Sequence, residues 1–86
     1  MREVVVQLFG VFSELDHRRE LSVRVNGEHI VDLRRALREL LLERFPRFRA
    51  GLVDYSVFAD EKRVLRDSEP LPADGRVAIL PPVSGG

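Results

Sequence analysis

Cysteine is absent from this sequence of 86 residues. Its absence excludes a disulfide framework, a zinc site built from thiolates and a cysteine nucleophile. Long apolar runs are also missing, and none approaches the roughly 20 residues that a membrane-spanning helix needs. The first residues lack the basic-then-apolar pattern of a secretory signal peptide. We therefore expect a cytoplasmic protein that has no membrane partner.

Charge balance and length narrow the class of function further. Fourteen lysine and arginine residues balance fourteen aspartate and glutamate residues, and the formal net charge is zero. An excess of basic residues is typical of proteins that bind nucleic acid, so we expect no nucleic-acid partner. A chain this short buries little more than about 60 % of its unfolded surface and forms one small core. A binding or carrier module is favoured over an enzyme with its own enclosed pocket.

Motifs for independent catalysis are lacking as well. His17 and His29 lie in different predicted elements with no third ligand beside them, so no metal site is expected. No serine lies in a nucleophile elbow, and no glycine-rich loop could hold a phosphate. The acidic pair Asp60 and Glu61 is typical of a solvated turn. We expect no stably bound cofactor and no activity from the chain alone.

What the sequence does contain is a set of short strands around one helix. Alternating apolar and polar residues predict strands over Glu3–Phe9, Glu20–Asn26, Asp54–Ala59 and Arg76–Leu80, with a very short one around Arg63–Leu65. Between them, apolar residues at helical spacing predict one amphipathic helix over Ile30–Phe45. Glu28 and His29 offer this helix a poor N-cap. Ser13–Arg19 is predicted to be an exposed turn.

The order of these elements predicts the architecture. The first and last strands are the most apolar, so we place them side by side and parallel in the centre of the sheet, which a crossover through the helix permits. The prediction is an α+β protein with a β-grasp (ubiquitin-like) fold, in which a mixed four- to five-stranded sheet packs on one main helix. We expect the domain to span residues 1–81 and a flexible diglycine tail to span residues 82–86.

The most informative segment is this ending, which consists of Pro81, Pro82, Val83, Ser84, Gly85 and Gly86. A proline pair favours extended polyproline geometry, which would direct the tail away from the domain. Two residues without Cβ could pass through a slot too narrow for any other side chain. Such a tail suits a Gly86 carboxylate that must enter the active site of another protein. The alternative is a frayed terminus or a tag remnant, since chain ends are commonly disordered.

A partner-binding surface is expected on the sheet face that points away from the helix. In the predicted registers Phe9 and Leu80 lie on this face, and Val64 on the short neighbouring strand joins them. A small apolar patch with arginines around it, Arg66 and Arg76 among them, would dock a partner protein. The alternative is that Phe9 or Leu80 only covers an edge of the core.

Three segments together resemble the small subunit of molybdopterin synthase, the MoaD family. They are Leu8–Leu15 (LFGVFSEL), Asp32–Leu37 (DLRRAL) and Pro70–Gly86 (PLPADGRVAILPPVSGG). The ending is the most specific of the three, and it suits that family better than the related carrier of the thiamine pathway, ThiS. A mycobacterial-type carrier for cysteine synthesis has a similar tail.

The resemblance implies a mechanism and a set of partners. A ubiquitin-activating-type adenylyltransferase would use ATP and magnesium to convert the Gly86 carboxylate to an acyl-adenylate. Sulfur from a sulfurtransferase would then replace AMP and leave a thiocarboxylate. In a heterotetramer with the large subunit, MoaE, the thiocarboxylate would give its sulfur to cyclic pyranopterin monophosphate during molybdenum cofactor biosynthesis. Two such transfers would build the dithiolene that holds molybdenum or tungsten.

Other functions stay open from the sequence. The chain could carry sulfur for thiamine or cysteine synthesis, or it could be a ubiquitin-like modifier whose Gly86 forms isopeptide bonds with lysines of target proteins. Both begin with the same adenylation, so the tail alone does not separate them. A third alternative is an interaction domain whose tail is inert.

Overall fold

The computed structural model describes residues 1–82, in which a sheet of five strands packs against one long helix. The strands are β1 (Arg2–Leu8), β2 (Glu20–Val25), β3 (Val57–Ala59), β4 (Val64–Leu65) and β5 (Arg76–Leu80). The helices are α1 (Ile30–Arg44), the short α2 (Leu52–Tyr55) and a 3-10 helix (Gly10–Leu15) between β1 and β2.

The five strands form one mixed sheet in the order β2-β1-β5-β3-β4. The parallel pair β1 and β5 lies in the centre, with Val6 opposite Val77. β2 runs antiparallel to β1, and β3 runs antiparallel to both β5 and β4. This arrangement confirms the predicted β-grasp fold and the central position of the first and last strands.

The core lies between α1 and one face of the sheet. Strand alternation buries Val4, Val6 and Leu8 from β1, as predicted. The apolar stripe of α1 packs against them, and its fully buried members are Ile30, Leu33, Leu37 and Leu41. The residues of β1 that alternate with them, Glu3, Val5 and Gln7, point to the opposite face and are exposed or half-buried.

The strand predicted over Asp54–Ala59 is wrong in its first half, since α2 occupies that part and only β3 joins the sheet. The Ser56 hydroxyl donates a hydrogen bond to the Leu52 carbonyl at 2.7 Å, which closes the helical turn. That turn buries Val53 completely in the core. Burial of Val53 therefore outweighs the strand propensity of Tyr55, which is left exposed.

The predicted exposed turn over Ser13–Arg19 is also partly wrong, because its first residues belong to the 3-10 helix. This helix buries Phe12, whose ring centroid lies 5.4 Å from that of Phe48. The Ser13 hydroxyl donates to the Gly10 carbonyl at 2.7 Å and stabilises the helix. The remainder of the segment, from His17 onward, is exposed as predicted.

The start of α1 is better capped than its sequence predicts. The Asp32 carboxylate accepts a hydrogen bond from the His29 N–H at 3.1 Å. The N–H groups of Ile30 and Val31 donate to the backbone carbonyls of Glu69 and Asp67, at 2.9 and 3.0 Å. Distant loop carbonyls thus satisfy the free N–H groups that a local cap would otherwise satisfy.

Candidate functional site

Three residues predicted to bind a partner lie on the open face of the sheet, opposite α1. Phe9 is 41 % exposed and Val64 is 52 % exposed, while Leu80 is half-buried. Each is adjacent in the chain to a residue that points into the core, and these neighbours are Leu8, Leu65 and Ile79. Phe9 follows the last residue of β1 but keeps an extended backbone, so the alternation of the strand continues through it.

Strand pairing joins these positions into one apolar surface. Val57 lies opposite Leu80, and Ala59 lies opposite both Ala78 and Val64. We define the open-face patch by its six apolar members, which are Phe9, Val57, Ala59, Val64, Ala78 and Leu80. Sequence reasoning did not assign three of them to the patch, although alternation with the buried Phe58 was the signal for Val57 and Ala59.

Two arginines near the patch are paired with carboxylates. Arg76, on the same face of β5, donates to the Glu20 carboxylate at 3.1 Å. Beside β4, Arg63 donates to the Glu69 carboxylate at 2.8 Å. Arg76, one of the two arginines predicted at the rim, is therefore paired with a carboxylate, whereas the other, Arg66, forms no side-chain ion pair among residues 1–82. The patch itself offers a partner apolar contact.

The turn between β3 and β4 is fixed by two carboxylates. Asp60 accepts the N–H groups of Lys62 and Arg63 at 2.8 and 2.9 Å, and these hydrogen bonds lower the pKa of Asp60. The pKa of Glu69 is lowered by the hydrogen bond from the Arg63 side chain and then by that from the Arg66 N–H. These contacts hold the short strand that carries Val64 in position.

The predicted tail begins at the edge of the open-face patch. Central strand β5 ends at Leu80, and the half-buried Pro81 follows it against Gly10. Gly10 has a φ of +57°, a conformation that side chains disfavour, and a Cβ atom on it would lie 2.5 Å from the Pro81 Cγ atom. Since Gly10 follows Phe9 in the chain, the root of the tail and the patch are neighbours.

Four residues of the predicted tail lie outside the described part of the structure, namely Val83, Ser84, Gly85 and Gly86. Pro82 is the last described residue and is exposed. The domain boundary at residue 81, the flexibility of residues 82–86 and the role of Gly86 therefore stay predictions.

Neither a metal-ligand cluster nor a membrane-spanning helix occurs among the described residues. Within residues 1–82, no three side chains of histidine, aspartate or glutamate converge in a way that could hold a metal ion. No helix in that range combines the length and the apolar character needed to cross a bilayer.

Comparison with known proteins supports a coarse assignment. No protein-family model matches the chain, and no curated protein does so either. Among solved structures, the chain is similar to SAMP1 from Haloferax volcanii, with 26 % identity and a TM-score of 0.65 over 99 % of this chain and 100 % of the SAMP1 chain. The likeness does not separate the MoaD family from its relatives. It supports the class of ubiquitin-like modifiers and sulfur carriers, and the chain is a ubiquitin-like β-grasp protein.

Proposed function

We propose that the chain is the sulfur-carrying small subunit of a molybdopterin synthase. The observation that supports this most is the position of the tail root. Pro81 directly follows Leu80, the last residue of the central strand β5, and lies against Gly10. Gly10 is the neighbour of Phe9, a member of the open-face patch. A partner that covers the patch would therefore meet the start of the tail, and the residues beyond it would extend into the active site of that partner.

The first chemical steps make the Gly86 carboxylate reactive. A carboxylate oxygen attacks the α-phosphorus of ATP, pyrophosphate leaves, and an acyl-adenylate forms on the activating enzyme with its magnesium. A hydrosulfide equivalent from the sulfur donor then attacks the carbonyl carbon, the bond to AMP breaks, and a thiocarboxylate remains. With hydrosulfide as the donor, neither step consumes an oxidant or a reductant. If the donor is a sulfurtransferase persulfide, a thiol supplies the two electrons that release its outer sulfur and ends as a disulfide.

The last step transfers the sulfur to the substrate. A thioacid is more acidic than a thiol, so the group is an anionic nucleophile at neutral pH. Its sulfur would form a bond to a carbon of cyclic pyranopterin monophosphate while a carbon–oxygen bond at that carbon breaks, and the oxygen would leave on phosphate or as water. Water would then cleave the resulting thioester, which leaves the sulfur on the substrate as a thiolate and restores the Gly86 carboxylate. This chemistry needs no cysteine in the carrier, in agreement with the composition.

A ubiquitin-like protein modifier is the second candidate, and the SAMP1 likeness is compatible with it. In that function an amine of a target lysine, rather than sulfide, would attack the activated Gly86 carbonyl. Within this chain the only lysine side chain that could serve as such a target is Lys62, which lies in the exposed turn between β3 and β4. Carriers for thiamine or cysteine synthesis share the steps up to the thiocarboxylate and differ only in the final acceptor.

Intact mass spectrometry tests the proposal. The chain is incubated with ATP, an activating enzyme and a sulfur source, and then with the large subunit and cyclic pyranopterin monophosphate. We expect the mass of one exchange of oxygen for sulfur, which is lost again when the substrate is added. Covalent ladders on other proteins would support the modifier instead, and an unchanged mass would contradict both.

Deletion of Gly86 is the matched control for this experiment. The shortened chain should fold and bind the large subunit as the full chain does, because the open-face patch is intact. Its mass should not change on incubation, since the carboxylate no longer follows two glycines. Equal activation of the shortened chain would contradict the role of Gly86.

A further inference from the structure

A second surface, separate from the open-face patch, is an apolar groove beside the C-terminus of α1. One side of the groove is formed by the 3-10 helix, which contributes Val11 and Leu15. The other side is formed by the chain that links α1 to α2, which contributes Phe45 and Phe48, and by Leu52, the first residue of α2. The groove has a volume of about 670 Å³ and is open to solvent. We call these five residues the groove floor.

The groove floor is held firmly by the core. Leu15, Phe45, Phe48 and Leu52 all pack against the buried cluster. Phe48 rests on the fully buried Phe12, and its N–H donates to the Phe45 carbonyl at 2.9 Å. A preformed floor reduces the ordering cost of binding a segment from another protein.

The rim of this groove carries an unbalanced positive charge. Three arginines line it, Arg44, Arg47 and Arg49, against a single glutamate, Glu14. Among residues 1–82, none of the three forms an ion pair, whereas Arg34, Arg35, Arg38, Arg63 and Arg76 each pair with a carboxylate. Because the chain as a whole has no net charge, this local excess is a feature of the groove.

One of the three arginines also interacts with the C-terminus of α1. Arg44 lies in the last turn of α1, where its charge offsets the partial negative charge at the helix C-terminus. Arg47 and Arg49 lie beyond the helix and are both exposed. The charges of Arg47 and Arg49 could therefore pair with acidic groups of a ligand.

From this combination we infer that the groove binds an acidic peptide segment of a partner protein, in which a bulky apolar side chain lies between aspartates or glutamates. The apolar side chain would occupy the groove floor, and its acidic neighbours would pair with Arg47 and Arg49. A concave apolar floor suits a side chain better than it suits the phosphate backbone of a nucleic acid or the flat surface of a membrane. The inference does not depend on the proposed function, because no step of that function uses the groove.

A displayed library of short random peptides tests the inference whatever the identity of the partner. Selection uses the full chain, and we expect the enriched peptides to combine acidic residues with a leucine, phenylalanine or similar anchor. The enriched peptide is then titrated into ¹⁵N-labelled protein. The amide signals of Val11, Leu15 and Phe48 should shift, while those of Val64 and Leu80 should not.

Paired variants separate the groove from general attraction between opposite charges. Replacement of Arg47→Glu together with Arg49→Glu should weaken binding by about tenfold or more. Replacement of Arg18→Glu together with Arg24→Glu makes the same change in net charge on exposed residues that do not line the groove, and affinity should stay within about twofold of the unaltered chain. Val11→Ser, a change of a partly exposed floor residue, should weaken binding without loss of fold.

Several results would overturn the inference. These are a library from which nothing is enriched, enriched peptides without acidic residues, equal losses in both charge-reversal variants, or amide shifts that map to the open-face patch. A single-stranded oligonucleotide or an anionic phospholipid vesicle that binds through Arg47 and Arg49 more tightly than any enriched peptide would also overturn it.

Discussion

Gly10 faces Pro81 so closely that a Cβ atom on the glycine would lie 2.5 Å from the Pro81 Cγ atom. The φ of Gly10, +57°, adds a second reason for glycine at this position. Replacement of Gly10 by alanine should therefore lower the free energy of unfolding by about 1–3 kcal/mol. Urea denaturation followed by circular dichroism measures this loss.

Gly51→Ala is the matched control for that substitution. A Cβ atom on Gly51 would meet nothing within 4 Å, and its backbone is in the right-handed helical region with φ of −61°. Alanine there should leave the protein equally stable or more stable, by up to about 1 kcal/mol, because it restricts the unfolded chain. Equal losses of unfolding free energy in the two variants would show that the close approach of Pro81 does not disfavour a side chain at position 10.

Docking of the large subunit should depend on the centre of the open-face patch. Leu80→Glu would place a charge between Phe9 and Val57, and the affinity for the large subunit should fall by about tenfold or more. Isothermal titration calorimetry measures the change. Leu42→Glu is the control, because Leu42 is 63 % exposed on α1, away from the patch. Undiminished binding by the Leu80 variant would show that partners use another face.

The parts of the fold that the sequence predicted correctly are those set by local patterns. Alternation in β1 assigned Val4 and Val6 to the core and Phe9 to the open face, and the structure confirms each. Helical spacing likewise identified the buried stripe of α1. These patterns succeed because burial of apolar residues on one face determines strand register and helix orientation directly.

The parts that were missed depend on contacts between distant segments. The burial of Phe12 requires Phe48, and the cap of α1 requires the carbonyls of Asp67 and Glu69. The site also depends on a distant contact, because the reason for a glycine at position 10 is the close packing of Pro81 against it. No local pattern in one segment specifies which remote segment will pack against it.

Arg34 should be the polar side chain on which the fold depends most. Its guanidinium donates to the carbonyls of Val53 and Ser56 at 2.6 and 2.7 Å and to the Asp67 carboxylate at 2.8 Å. It also lies 5.0 Å from the centroid of the Phe58 ring. Arg34→Met should lower the free energy of unfolding by about 2–3 kcal/mol, because two partly buried carbonyls lose a charged donor.

Two further variants show whether geometry or charge is responsible. Arg34→Lys keeps the charge but lacks the planar fork, so most of the loss should remain. Arg38→Met removes an exposed ion pair with Asp54, of 3.2 Å, and should cost about 1 kcal/mol or less. Full stability of the Arg34→Lys variant in urea denaturation would mean that charge alone matters at this position.

The turn between β3 and β4, which leads into the strand that carries Val64, should lose stability in acid. Since the folded-state pKa values of Asp60 and Glu69 are lowered by hydrogen bonds to their carboxylates, the charged forms favour the folded state. This contribution is complete above the unfolded-state pKa values of about 4 and disappears as the pH falls through the lowered folded-state pKa values. The variant Asp60→Asn with Glu69→Gln should therefore be less stable than the unaltered chain at about pH 6, and the difference should shrink at about pH 2.

Urea denaturation at both pH values gives the comparison. Glu61→Gln, in the same turn, is the control and should change the stability little at either pH. A constant difference between double variant and unaltered chain across this range would contradict the role of these two carboxylates.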